Sequence, residues 1–482
     1  MSLGNLLREV ANNNDEVGVM NAKSIAYDVS DRMIEKYGSY VKYLATLKTV
    51  SGAEEIKSIS PGRDAIDGLL VTIRVPDNSE EHIDIIHSSG VHGVEGYLGS
   101  AIQIRYIHDL ILSQHNKGTR AHDISNYKLQ KVLLIHAINP HGMRHHRRTN
   151  VNNVDLNRNA LSSQEWEVIR KRDPNFAGYV DLDSTLNPFL PLKDGELFSW
   201  VDEARGRGFD GDISKLRWRD DRVKMEYGSS PHTQQIDSQQ QQNTDSLGTS
   251  SDINEWITQS LEIVQLLPLI LKAMLSRGYA STKRAFVSSQ YLKPSGSQYG
   301  GGNHAYHLDD WENEVFAVKH AVAEFAGLLA GETNDEEKKN VFWIDVHTGL
   351  GKYGEYALLS TGSRVAGEVP SWVQTLTTHL GKTLNTGEST NNAVSSGYDQ
   401  TLGFVNGPTL CPPPNCFAIT QEFGTRNGVL VGLSMVLENK GYQVGNGEYG
   451  FSTSWAFCPR RLGWRRRVLR GGMQMLRGTL DF

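Results

Sequence analysis

Apolar residues fall along the chain in two alternating patterns: short runs rich in β-branched residues, and longer stretches in which apolar positions recur every three or four residues. The short runs predict strands over residues 69–75, 83–87, 132–138, 341–346, 356–360 and 417–421. The longer ones predict helices over 30–47, 96–112 and 314–330. In the last of these, Val315, Val318, Val322, Phe325 and Leu329 share one face, and Gly331 stands where a C-terminal cap belongs. Strands alternating with helices predict an α/β protein, a mixed central sheet with helices on both faces. Such sheets gather ligands and catalytic groups at the carboxyl ends of their strands.

One region breaks the pattern. Residues 206–252 hold few apolar side chains and include the Gln-rich stretch 234–242 set among Ser, Thr and Asp, so burial there cannot offset the entropy of ordering. They are expected to be a flexible insertion, with 1–205 and 253–482 forming the two parts of one catalytic domain. The flanking segments 159–205 and 253–299 read as structured, and they could form a lid or a partner surface, or restrict the site to small substrates.

Composition narrows the class. A length of 482 residues, 38% hydrophobic and 22% charged, with a net charge of -6, gives no reason to expect nucleic acid as the main partner. The longest apolar run, 263–275, is broken by Gln265 and Pro268 and is too short to cross a bilayer, so no membrane span is expected. Three cysteines, Cys411, Cys416 and Cys458, are too few for a disulfide framework, and residues 1–17 lack the apolar core of a signal peptide; both point to a reducing, cytoplasmic location. The arginine-rich tail beginning at Arg460 interleaves Trp464, Val468, Leu469, Met473 and Leu476, which predicts an amphipathic helix docked on the body rather than a nucleic-acid arm.

Four strand ends carry candidate chemistry. The first is His87-Ser-Ser-Gly-Val-His92-Gly-Val-Glu95-Gly96, where His-x-x-Glu brings an imidazole and a carboxylate onto one tight turn flanked by glycines. The second runs from Asn139-Pro-His-Gly142 through Arg147, Arg148 and Asn150 to Val154-Asp155-Leu-Asn157-Arg158-Asn159, donors suited to a carboxylate or a developing oxyanion. The third delivers Asp345 and His347 on one strand face. The fourth ends an apolar strand in Glu422, costly there unless exposed, paired or functional. Together they supply the groups of a mononuclear zinc hydrolase with an open coordination position for water.

In this order, His-x-x-Glu, Arg with Val-Asp-Leu-Asn-Arg-Asn, Ile-Asp-x-His and a late Glu, the sequence resembles the zinc carboxypeptidase superfamily, the carboxypeptidase A-like exopeptidases. It is most similar to a branch of that superfamily grouped as a domain of unknown function. The recurring blocks are 90–96, 290–301, 345–351 and 422–425, with 464–476 as a closing helix.

The resemblance implies a zinc exopeptidase (phosphorylase/hydrolase-like) architecture with one Zn2+ per chain, held by His92, Glu95 and His347. It makes Glu422 the general base and Arg148 the oxyanion-stabilising residue, with adjacent Arg147 a possible substitute. Asn157 and Arg158 match the pair that grips a terminal carboxylate, and Asp155 and Asp345 would orient the two histidines. Tyr398 falls near the family's substrate-capping tyrosine, with Asp399 an alternative. The implied substrate is a peptide cleaved at its carboxyl end. A deacylase acting on N-acyl amino acids is the nearest alternative, and a non-catalytic protein retaining the fold is a third.

Overall fold

The computed structural model describes residues 55–59, 67–76, 83–116, 127–151, 153–171, 274–288, 311–326, 340–360, 369–385, 401–413, 415–444, 450–459 and 461–480. The Gln-rich stretch, the expected helix at 30–47, the 290–301 block, and Tyr398 with Asp399 lie outside these residues.

Eight strands form one sheet: β1 (Glu55–Ile59), β2 (Asp67–Pro76), β3 (Ile83–Ser89), β4 (Tyr127–Ala137), β5 (Asn340–Tyr353), β6 (Tyr356–Ser360), β7 (Leu384–Asn385) and β8 (Cys416–Gly424). Their spatial order is β1-β2-β4-β3-β5-β8-β6-β7. The centre is parallel, β4, β3, β5 and β8 running together, while β1, β2 and β6 join antiparallel. All six expected strands are present. β1 and β7, which were not foreseen, are five and two residues long.

Side chains on the central strands alternate between two cores, as the period of two requires. Ile85, Leu134, Phe342, Ile344 and Val346 face one core. This core is covered by α1 (Gly96–Asn116), α6 (Ser371–His379) and α9 (Leu462–Leu480). Ile86, Leu133, Ile135 and Trp343 face the other, covered by α5 (Asn313–Phe325) through Val315, Val318 and Val322. The remaining described helices are α2 (Pro140–Arg144), α3 (Ser163–Lys171), α4 (Tyr279–Ser288), α7 (Gly428–Val444) and α8 (Gly450–Phe457).

The arginine-rich tail is α9, and it docks as expected. Trp464, Val468, Leu469 and Leu476 are fully buried, and the Trp464 indole donates to the Gly424 carbonyl at 2.8 Å. Arg467, Arg470 and Arg477 stay in solvent, and Arg477 pairs with Asp109 of α1. Among the described residues no helix is long and apolar enough to cross a membrane.

The cysteines depart from expectation: Cys411 and Cys416 are joined by a disulfide, and Cys458 is buried and free. The two partners lie five residues apart, a separation at which one tight turn brings them together without any wider framework. A cysteine count therefore carries no argument about compartment for this chain.

Candidate metal centre

β3, β5 and β8 are parallel neighbours, so their carboxyl ends open on one edge of the sheet. After β3 the chain turns at Gly90 and makes one turn of 3-10 helix, Gly93–Glu95, before α1 begins. Gly93 is required by close approach: a Cβ there would lie 2.1 Å from backbone atoms of Gly142 and Met143 in α2. The Val94 amide donates to the Arg147 carbonyl at 2.9 Å, fixing the turn against the following loop. β5 delivers Asp345 and His347, and its register with β8 sets His347 opposite Glu422. Beyond His347 the strand must swerve, and Gly349 does so at φ +133°, with Phe457 filling the space a side chain would occupy.

His92, Glu95 and His347 converge there, with one ligand atom from each within 4.8 Å of the others, all buried. Nδ1 of His92 stands 2.9 Å from Glu95 Oε1, and Nδ1 of His347 stands 3.4 Å from Glu95 Oε2. The opposite ring nitrogens are held by carboxylates, His92 Nε2 to Asp155 at 3.1 Å and His347 Nε2 to Asp345 at 2.7 Å. Asp345 is itself fixed by the Ser88 hydroxyl at 2.6 Å, which accepts from the Trp343 indole at 2.7 Å.

These groups fit a divalent cation. Arg148 can only donate, so its Nη1, 3.0 Å from His92 Nδ1, faces a nitrogen lone pair. That lone pair also meets Glu95 Oε1, an arrangement that calls for a proton or a cation between them. Two imidazoles each anchored at the far nitrogen by an aspartate, plus one carboxylate, form the donor set of a mononuclear metal site with its supporting shell.

The electrostatics follow from burial and charge. Burial alone would raise the Glu95 pKa, but His92 and then His347 outweigh it and lower the value to about 2. Asp155 likewise resists burial and is held well below the usual carboxylate range, chiefly by Arg148 at 2.9 Å and then by His92. For His347 burial acts downward, yet Asp345 and Glu95 lift it well above the ordinary imidazole value. Glu422 goes the other way: burial first and the Glu95 charge second push it up to about 7, while its Oε1 accepts from the Leu350 amide at 2.9 Å.

The two adjacent arginines part company. Arg148 points into the site, bonded to Asp155 and near Glu95 at 3.7 Å. Arg147 turns away, bonding Glu438 of α7 at 2.5 Å and Asn153 Oδ1 at 2.5 Å, both within the protein interior. Arg147 is thereby a structural tether, and the substitute role the sequence left open to it falls away.

The site opens into a cavity lined by His92, Glu95, Arg148, Arg158, His347 and Glu422 from the expected set. Asn157 is buried beside Arg158 but is not part of this lining, and its amide oxygen accepts from the Val405 N–H at 2.9 Å. The sequence did not point to the outer wall. Tyr279, Thr282 and Lys283 of α4, Val429, Val431 and Met435 of α7 and Phe457 of α8 complete it. The i, i+3, i+4 spacing of the three α4 residues was a visible signal of a shared face, but nothing in it said which surface that face meets.

Fold and site together define an α/β protein with a buried His-Glu-His centre able to hold a metal ion. The chain belongs to the family described as Protein of unknown function (DUF2817), whose profile matches residues 54–195 and 262–471. No curated protein and no solved structure matches it.

Proposed function

We propose that the chain is a zinc-dependent hydrolase that cleaves the amide bond next to a free carboxyl terminus, in the manner of a metallocarboxypeptidase. The observation that carries this reading is the position of Glu422, across the β5–β8 ladder from His347 and in one cavity with the His-Glu-His cluster and Arg148. A lone buried carboxyl group there is explained if it handles protons for a reaction at the metal.

His92, Glu95 and His347 would hold the ion, which when bound supplies Lewis-acid polarisation of a carbonyl and acidification of water. Glu422 takes the proton from the attacking water at its carboxylate and returns it to the departing amine nitrogen. In the cation-free protein burial and the Glu95 charge raise its pKa to about 7, so this carboxyl group exchanges a proton far more readily in the neutral range than an exposed one does. Arg148 is pre-oriented by Asp155, so its guanidinium meets negative charge developing on the carbonyl oxygen without reorganising. Arg158 binds the substrate's carboxylate.

Elemental analysis of purified protein should find one zinc per chain. N-acylated dipeptides with a free carboxyl end and N-acyl amino acids should be assayed side by side, the faster class deciding between peptidase and deacylase. Glu422→Gln should retain zinc and lose about 10²–10⁴-fold in kcat, the usual contribution of a general base. Undiminished hydrolysis by that variant would overturn the proposal.

A further inference from the structure

Behind His347 the side chains form a line of hydrogen bonds whose direction is set at its far end. Trp343, Asp345 and His347 alternate along β5, so the period of two puts all three on one face of the strand. Ser88 of β3 stands opposite Asp345 in the parallel ladder and bridges Asp345 to Trp343. The Trp343 indole N–H donates to Ser88 Oγ at 2.7 Å, and the Ser88 hydroxyl donates to Asp345 Oδ1 at 2.6 Å. Asp345 Oδ2 lies 2.7 Å from His347 Nε2, and His347 Nδ1 lies 3.4 Å from Glu95 Oε2. Trp343, Ser88 and Asp345 are fully buried.

The order of donors follows from the chemistry of each group. An indole N–H can only donate, so Ser88 Oγ accepts from it. A hydroxyl has one proton, which then goes to Asp345 Oδ1, and a hydrogen bond received there favours the carboxylate over the neutral acid. The second carboxylate oxygen is left to accept from His347, so Nε2 keeps a proton and Nδ1 is the nitrogen turned toward Glu95 and the cluster. The Trp343 ring belongs to the core covered by α5, which anchors the far end of the line.

We propose that Trp343 and Ser88 are positioning residues of the metal centre: the indole aims the Ser88 hydroxyl, the hydroxyl holds Asp345, and Asp345 keeps His347 turned with Nδ1 toward the cation. This rests on the metal-binding part of the reading above and needs no hydrolysis. Two residues that neither ligate nor line the cavity thereby share in metal affinity. Without the indole the serine proton has other directions to turn, and without the serine Asp345 loses the donor to one buried oxygen. Either change loosens the carboxylate that orients a ligand.

The test uses full-length protein stripped by a chelator and reloaded. Zinc affinity is read by competition with a coloured chelator, and site geometry by the visible absorption of the cobalt(II) form. Ser88→Ala should weaken zinc binding about 10–100-fold, the worth of a hydrogen bond to a charged group behind a ligand, and change the cobalt spectrum. Trp343→Phe keeps the aromatic ring and removes the N–H, so it should weaken binding about 2–10-fold, the net worth of one neutral hydrogen bond. Ser88→Thr should recover most of the lost affinity. Ser89→Ala removes the next buried serine of β3, whose hydroxyl donates to the His136 carbonyl at 2.6 Å, and measures what loosening the strand does by itself; zinc affinity should stay at the parent level. In an Asp345→Asn background Ser88→Ala should lose most of its effect, since the carboxylate it acts through is gone. Ser88→Ala binding zinc as tightly as the parent or as Ser89→Ala, or losing the same factor with and without the Asp345 carboxylate, overturns the assignment.

Affinity and spectrum are both measured without turnover, which separates the two readings. If the protein binds zinc, hydrolyses neither substrate class and still shows the Ser88 effect, the hydrolase proposal fails and the positioning role stands. If it is an active hydrolase whose zinc affinity ignores Ser88→Ala, the positioning role fails and the hydrolase proposal stands.

Discussion

Replacing Asp155 by asparagine probes how far the metal cluster depends on the groups behind it. Asp155 is fully buried and accepts from three donors: His92 Nε2 at 3.1 Å, Arg148 Nη2 at 2.9 Å and the Asn157 N–H at 3.0 Å. Asparagine retains one oxygen, which can still serve His92 and the backbone N–H on the Oδ1 side. On the other side it turns an amide N–H2 toward Arg148, donor against donor, and the guanidinium loses its buried counter-charge.

Losing one partner of a buried ion pair costs about 3–5 kcal/mol, and the retained acceptor places Asp155→Asn toward the lower figure. Removing the carboxylate behind a ligating histidine costs about 10–100-fold in metal affinity. We therefore expect a stability loss of about 3 kcal/mol in chelator-treated protein, read by urea denaturation. Zinc affinity, read by competition with a coloured chelator, should fall by the factor above. In an Arg148→Met background the stability loss should shrink by more than half, because the stranded guanidinium is gone. Should Asp155→Asn bind zinc as tightly as the parent and unfold at the same urea concentration, the supporting role of Asp155 would be refuted.

Other expectations follow from the same geometry. Glu422 has a folded pKa of about 7 against an ordinary 4.5, so in the cation-free protein its stabilising share is present below pH 4.5 and lost as pH rises through 7. Cation-free Glu422→Gln should accordingly match the parent near pH 4.5 and exceed it by about 3 kcal/mol at pH 8, and equal stability at pH 8 would contradict the burial argument. Gly93→Ala drives a Cβ into the α2 backbone, which no rotamer relieves; a cost of about 3 kcal/mol and weakened zinc binding are expected in denaturation and titration. Glu438→Ala strands Arg147 in the interior and should cost about 3–5 kcal/mol by chemical denaturation. A loss under 1 kcal/mol would show that the tether contributes little.

The parts of this molecule legible in the sequence are those where a local pattern meets a strong physical constraint. An almost wholly apolar strand such as 341–346 has to be central, and polar residues toward its end have to be near water, a partner or a ligand, so Asp345 and His347 could be singled out before any fold was known. The α9 stripe of Trp464, Val468, Leu469 and Leu476 is equally direct.

What escaped depends on distant pairing. Arg147 and Arg148 are neighbours, and Glu438, 291 positions from Arg147, decides which of them turns inward. Asn157 belonged to a recognisable motif, yet the Val405 N–H, 248 positions away, takes its amide oxygen. The cavity face of α4 carries no signature of its own, and the Cys411–Cys416 bridge was hidden by reading cysteines as a count instead of a spacing.

That bridge bears on how the protein can be made. It closes so short a loop that the chain entropy it removes from the unfolded state is worth about 2 kcal/mol, and a reduced chain forfeits no more than that. The segment just before it supplies the Val405 N–H to Asn157 and the Gly403 carbonyl to Ala160, so the link ties the start of β8 to the loop that holds the Asn157 turn. Production in a host with a reducing interior should thus yield folded material, with any penalty felt first in the loop leading into β8.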